Sequence, residues 1–137
     1  MRDKDLCLMT DTAVTDSAAT TDYLSGGSVQ NAPGAGIYMM VTCTTTADSA
    51  TDAATVVVSI QADDNTSFSS PTTLAQSASY AIASAGLTAG GRILVPMPFN
   101  AVKTEKYYRG YFTVGTENLS AGKFTVEFIT NPQRNGI

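Results

Sequence analysis

No histidine occurs among the 137 residues, and that absence bounds the chemistry open to the chain. Without imidazole there is no Ser–His–Asp or Cys–His nucleophile system and no His-containing zinc site. The commonest general base near neutral pH is missing too. The two thiols, Cys7 and Cys43, are too few for a four-thiolate zinc site. Both sit in apolar-alternating runs, where buried free thiols are common, so no disulfide framework is expected. Neither GxxxxGK[ST] nor GxGxxG is present, and GAG at Gly34 and AGG at Ala89 read as turns. Glycosidic chemistry needs only two carboxyl groups, which leaves Asp63, Asp64, Glu105, Glu117 and Glu127 as candidates. Four of these fall in polar loops, and Glu127 alternates with Phe124, Val126 and Phe128 on what should be an outward face. Asp63, Asp64 and Asn65 gather oxygen ligands of the kind calcium takes, but not at EF-hand spacing, and they read as an Asp-Asp-Asn turn. The expectation is a protein that is not an enzyme, with no cofactor and no metal.

One pattern at period two remains. Tyr107, Arg109 and Tyr111 should project from one strand face, the guanidinium flanked by rings. The plain reading is a solvated outer face with Tyr–Arg stacking. The functional reading is an intersubunit contact, because Tyr and Arg are favoured interface anchors. Gly110, on the opposite face, would admit a close neighbour.

The elements that must position these residues are strands. GIYMMVTCT from Gly36 sets Ile37, Met39, Val41 and Cys43 on one face, with Tyr38, Met40 and Thr42 opposite. ATVVVSIQA from Ala54 aligns Val56, Val58 and Ile60. YYRGYFTVGTENLSAGKFTVEFIT from Tyr107 reads as two strands around a polar loop, Phe112 and Val114 sharing one face, and Phe124, Val126 and Phe128 another. Weaker strands are expected over Leu6 to Met9, near Tyr23, over Ser79 to Ala83 and over Arg92 to Val95, the last ended by Pro96 and Pro98. Runs from Gly26, Thr44 and Asp63 read as loops. About eight short strands predict an all-β antiparallel sandwich, jelly-roll-like, since the Trp and cysteine pair of an immunoglobulin domain are missing.

Composition agrees. With 20 Thr and 12 Ser against 3 Glu and 4 Lys, the chain is rich in strand and turn formers and poor in helix formers. Only 15% of residues are charged, so hydroxyls and amides must solvate much of the surface. The net charge of −4 argues against a nucleic-acid partner, and no apolar run long enough for a membrane span or a signal peptide occurs. Synthesis in the cytoplasm is expected. Nine acids and two bases occur up to Asp64, and three acids and six bases after it. Either folding interleaves the two halves, or surfaces of opposite sign meet between subunits. Residues 1–137 are expected to form one domain with an extended N-terminal segment and a short C-terminal tail.

In order, AATTDYLSGG from Ala18, VVVSIQADDNTSFSSPTTL from Val56, LTAGGRILVPMP from Leu87 and KYYRGYFTVGTENLSAGKFTVEFI from Lys106 resemble the jelly-roll cement (decoration) proteins of tailed bacteriophages. The resemblance covers most of residues 5 to 130 and includes a buried Phe68 in the Asp-containing hairpin. It implies a homotrimer without catalytic residues, made in the host bacterial cytoplasm and placed on the capsid exterior. There it would clamp neighbouring capsomers of the major capsid protein. Candidate contacts are Tyr107, Arg109 and Tyr111, together with Arg2, Lys4 and Arg134 near the ends. A tail or fibre receptor-binding module, or a carbohydrate-binding β-module, is the alternative.

Overall fold

The computed structural model describes residues 7–25, 37–97 and 107–130, and these make a β-sandwich. Ten strands run in chain order: β1 (Cys7–Ala13), β2 (Ala18–Ala19), β3 (Leu24–Ser25), β4 (Ile37–Ser49) and β5 (Thr55–Asp63), then β6 (Thr72–Gln76), β7 (Tyr80–Ala81), β8 (Arg92–Pro96), β9 (Tyr107–Gly115) and β10 (Leu119–Thr130). One 3-10 turn, Ala85–Leu87, precedes β8. The first sheet has the order β1-β10-β4-β8 and the second β2-β9-β5-β6, with β3 also on β9 and β7 also on β5.

The pairings are nested. First pairs with last (β1 with β10), then β2 with β9, β4 with β8 and β5 with β6, all antiparallel. That is a long hairpin rolled up until β10 meets β4 and β9 meets β5, in keeping with the jelly-roll-like sandwich expected from the sequence. The roll also bears on the charge distribution of the described strands. In both sheets a strand from the acid-rich first half alternates with one from the base-rich second half, so among the described residues the two halves are interleaved.

The core lies where the alternating faces meet. Met39, Val41 and Cys43 from β4 and Val56, Val58 and Ile60 from β5 are fully buried, and Phe112 packs on Phe124 with ring centroids 5.1 Å apart. Gly110 does admit a close neighbour: a Cβ there would lie 2.9 Å from both Met39 Sδ and Thr20 Cγ2. Cys7 and Cys43 are free thiols on opposite flanks of β10, paired with Glu127 and Phe124 respectively.

Several boundaries differ from expectation. The run from Thr44 becomes a turn only at residues 50–53, because β4 continues to Ser49 and buries Ala47 and Ser49. Bulges between Leu119 and Phe124 absorb its irregular pattern, and Gly122, at φ +140, leaves room for the Ala47 backbone at 3.2 Å. Asp63 is not in a loop but closes β5 as a buried residue. The strand β6 was hidden in a polar run because its residues are all exposed or half-buried. Pro96 is the last residue of β8, opposite Tyr38, instead of lying beyond it. The run 26–36 lies outside the described residues.

Both short edges are interrupted strands. Thr20 sits between β2 and β3, donating from its backbone to Gly110 O at 2.9 Å and accepting the Gly110 N–H on Oγ1 at 3.2 Å. Ser77 links β6 to β7 in the same way, exchanging two bonds with Val58. Broken edges of this kind discourage open-ended strand addition.

Candidate functional site

The register of β5 on β9 builds the outer face of the second sheet. Gln61 lies opposite Arg109, Ser59 opposite Tyr111 and Asp63 opposite Tyr107. Tyr107, Arg109 and Tyr111 are half-buried, while Tyr108, Gly110 and Phe112 between them point into the core. The three outward residues therefore do share one face.

Two further segments complete the patch. The turn after β5 folds back so that Phe68, only 6% exposed, lies beneath the guanidinium, with Arg109 Cζ 4.4 Å from the ring centroid. Tyr111 stands on the other side at 5.6 Å. The expected flanking ring at Tyr107 is replaced by Phe68; Tyr107 packs instead edge-on to Tyr23 at 5.4 Å. Tyr23 also approaches Phe68, at 6.2 Å, and is 45% exposed. Arg109 Nε donates to Gln61 Oε1 at 2.9 Å. Partial burial lowers the Arg109 pKa, opposed by electrostatic interaction with Tyr111 and Asp63, but a guanidinium stays ionised throughout the physiological range.

Asp63 is the reason the turn reaches this far. Its carboxylate accepts the N–H groups of Asp64 at 2.7 Å and Ser70 at 2.9 Å. The Ser70 bond, foremost, holds its pKa below the ordinary value. Asn65 Oδ1 accepts the Ser67 N–H, and Phe68 adopts φ +51. A bulky residue in the left-handed region costs roughly 1–2 kcal/mol, which the surroundings must offset. The cluster at Asp63, Asp64 and Asn65 thus acts as a turn whose oxygens serve the backbone.

The candidate carboxylates Glu117 and Glu127 stand far from Asp63. Glu117 clamps the β4–β5 connection, accepting from Thr51 N at 2.9 Å, Thr51 Oγ1 at 2.8 Å and Ala53 N at 3.1 Å. Bonds from Ser49, Thr51 and Ala53 lower its pKa to about 2. The neighbouring Asp48 carboxyl, hydrogen-bonded to Asp52, raises the Asp52 pKa. Asp63 and the Glu117 clamp stand at opposite ends of the β5–β9 pair, about 26 Å apart at 3.3 Å per residue, too far for a paired acid and base. Glu127 is on the other sheet, opposite Met40. Arg2, Lys4, Glu105 and Arg134 lie outside the described residues.

Two features escaped the sequence. A pocket of about 330 Å³ on the β1 side is lined by Cys7, Met9, Thr10, Thr12, Thr21 and Asp22, directly before Tyr23. The outer face of the first sheet carries an apolar cross-strand row, Ile129–Tyr38–Pro96, and beside it the mixed row Glu127–Met40–Leu94. Leu94 is 45% exposed. The signal for these rows was present, since Tyr38 and Met40 alternate with core residues where polar side chains would be usual.

A family model described as Bbp16 matches residues 8–128, which span almost the whole sandwich. No curated protein matches the chain.

Proposed function

The chain belongs to the Bbp16 family, and for this member of it we propose a structural role as a capsid cement protein of a tailed bacteriophage. In this reading it sits on the exterior of the icosahedral shell as a homotrimer and ties neighbouring copies of the major capsid protein together. The observation that supports the reading is that both outward sheet faces carry large aromatic or apolar side chains. One bears the Tyr23–Phe68–Tyr107–Arg109–Tyr111 patch, the other the row Ile129–Tyr38–Pro96 and, beside it, Met40 and Leu94 next to Glu127. A sandwich that lives alone normally turns polar residues outward on its open sheet faces. A protein that bridges subunits needs contact surfaces on more than one side, and the likeness to cement proteins in segment order points the same way.

The test combines mass measurement with co-sedimentation. The purified protein is mixed with undecorated, expanded capsids of its phage. A trimer that pellets at a fixed ratio to the shell protein supports the reading; a protein that stays in the supernatant defeats it. One observation favours the second reading, a receptor- or carbohydrate-binding module: the Tyr23 ring is exposed and packs on Tyr107 and Phe68, the ring beneath Arg109, as a sugar-stacking platform would require. Glycan-array binding by a protein that ignores capsids would favour it.

A further inference from the structure

Arg109 is held more firmly than an outer-face arginine needs to be. Its guanidinium lies over Phe68 at 4.4 Å, within 5.6 Å of Tyr111, and is tied through Nε to Gln61. Holding Phe68 there requires a left-handed backbone at φ +51 and a buried carboxylate, Asp63, committed to the turn. A guanidinium has five N–H donors in a rigid fork. Among the described residues only the Nε donor is used within the chain, so the fork's terminal edge keeps its donors. Asp63 acts on Arg109 through space, its oxygens serving Asp64 and Ser70 instead. The result is a stacked, partly desolvated cation whose bidentate edge meets no acceptor among the described residues, rimmed by Tyr107, Tyr111 and Tyr23.

Resting on the cement reading, we propose that this clamp receives an Asp or Glu carboxylate presented by the shell protein, with apolar side chains beside it packing on the tyrosine rim. Charge and geometry select that occupant. A fork that is stacked and pre-oriented matches a carboxylate bidentately and loses little conformational freedom on binding. A second copy of this chain is a poorer donor, because its described carboxylates largely serve their own loops. Glu117 binds Thr51 and Ala53, Asp16 caps Ser17, and Asp48 shares a hydrogen bond with Asp52.

The test measures shell affinity by quantitative co-sedimentation for the wild type, Arg109→Gln and Arg109→Lys, with oligomeric mass and circular dichroism recorded in parallel. Truncating one partner of a desolvated charge pair costs at least about 2 kcal/mol, so R109Q should bind about 30-fold or more weakly at 1.4 kcal/mol per decade. R109K, which keeps the charge without the planar fork, should fall between, and it stands in if R109Q does not fold. Shells whose surface carboxylates have been amidated should bind wild type no better than R109Q. Equal binding by wild type and variants overturns the inference and leaves the cement reading intact. A variant that loses its oligomeric mass assigns the clamp to a second copy and also overturns it. Failure of the wild type itself to pellet removes the cement reading, and the inference with it.

Discussion

Replacing Gly110 by alanine tests whether the two sheets approach as closely as the packing implies. Gly110 lies in the middle of β9, opposite Ile60, with its missing side chain directed into the core. A Cβ there would stand 2.9 Å from Met39 Sδ on the other sheet and 2.9 Å from Thr20 Cγ2, with Val126 Cγ1 at 3.5 Å. Met39 is fully buried and Thr20 is 8% exposed, so neither has solvent to move into. Thr20 is also fastened, since it exchanges two hydrogen bonds with Gly110 and donates from Oγ1 to Asp22 O at 2.9 Å. Overpacking of this kind costs about 1–3 kcal/mol, and two simultaneous contacts argue for the upper half of that range. Relief of the glycine's backbone entropy returns about 0.5–1 kcal/mol. A net loss of about 1–2 kcal/mol follows. At roughly 2.1 cal/mol/K per residue over 137 residues, it lowers Tm by about 4–7 °C. Urea unfolding followed by circular dichroism, with a thermal melt beside it, measures both. Because Asp22 and Tyr23 follow the displaced Thr20, the tyrosine fluorescence of the native state should change as well. A variant as stable as the wild type, or more so, would refute the close approach.

Two other outcomes are expected. The folded Glu117 carboxyl has a pKa near 2 against an ordinary 4.5, so its stabilisation is complete above the ordinary value and is lost as pH falls through about 2. Glu117→Gln should therefore be less stable at neutral pH. The difference from wild type should shrink steadily as pH drops below about 4.5, read as urea midpoints from pH 6 to 2.5. A difference independent of pH would show that the clamp does not act through ionisation. Burial raises the pKa of Cys43, whereas Cys7 is half-buried beside a pocket, so iodoacetamide should modify Cys7 first and Cys43 only as the protein unfolds. Peptide mapping after brief native labelling checks this, and early modification of Cys43 would contradict the packing.

The sequence disclosed those parts of the fold whose burial alternates. β4, β5, β9 and β10 follow period two because one face is sealed in the sandwich, and their inward residues could be named from spacing alone. β6 could not be found, since an edge strand with both faces accessible imposes no alternation on Thr72 to Gln76. The loop reading from Thr44 began too early for a different reason: bulges in the β10–β4 pair break the period, leaving Ala47 and Ser49 as small inward residues with no apolar signature. At the candidate site, Tyr107, Arg109 and Tyr111 were legible because they belong to one strand. Phe68 was legible as buried but not as the platform for Arg109, and Tyr23 and Gln61 were not associated with the patch. Those contacts depend on register between distant segments and on a left-handed residue inside a turn, neither of which spacing encodes.

This dependence has a physical consequence for how the patch holds together. Gln61 and Phe68 belong to β5 and the turn that follows it, Arg109 and Tyr111 to β9, and the β5–β9 pair extends over nine registered residues from Thr55 to Asp63. The clamp is thus fixed to the longest pairing in its sheet, with backbone bonds on both sides. Tyr23 enters by another route, on a segment held to β9 through the two-residue strands β2 and β3 and through Thr20. Short edge pairings open at much lower free energy than a central strand pair. The cation and its platform therefore persist under fluctuations that release the Tyr23 rim. A rigid centre that fixes orientation, bordered by a rim able to adjust, fits a surface that must settle onto a partner without losing its one directional contact.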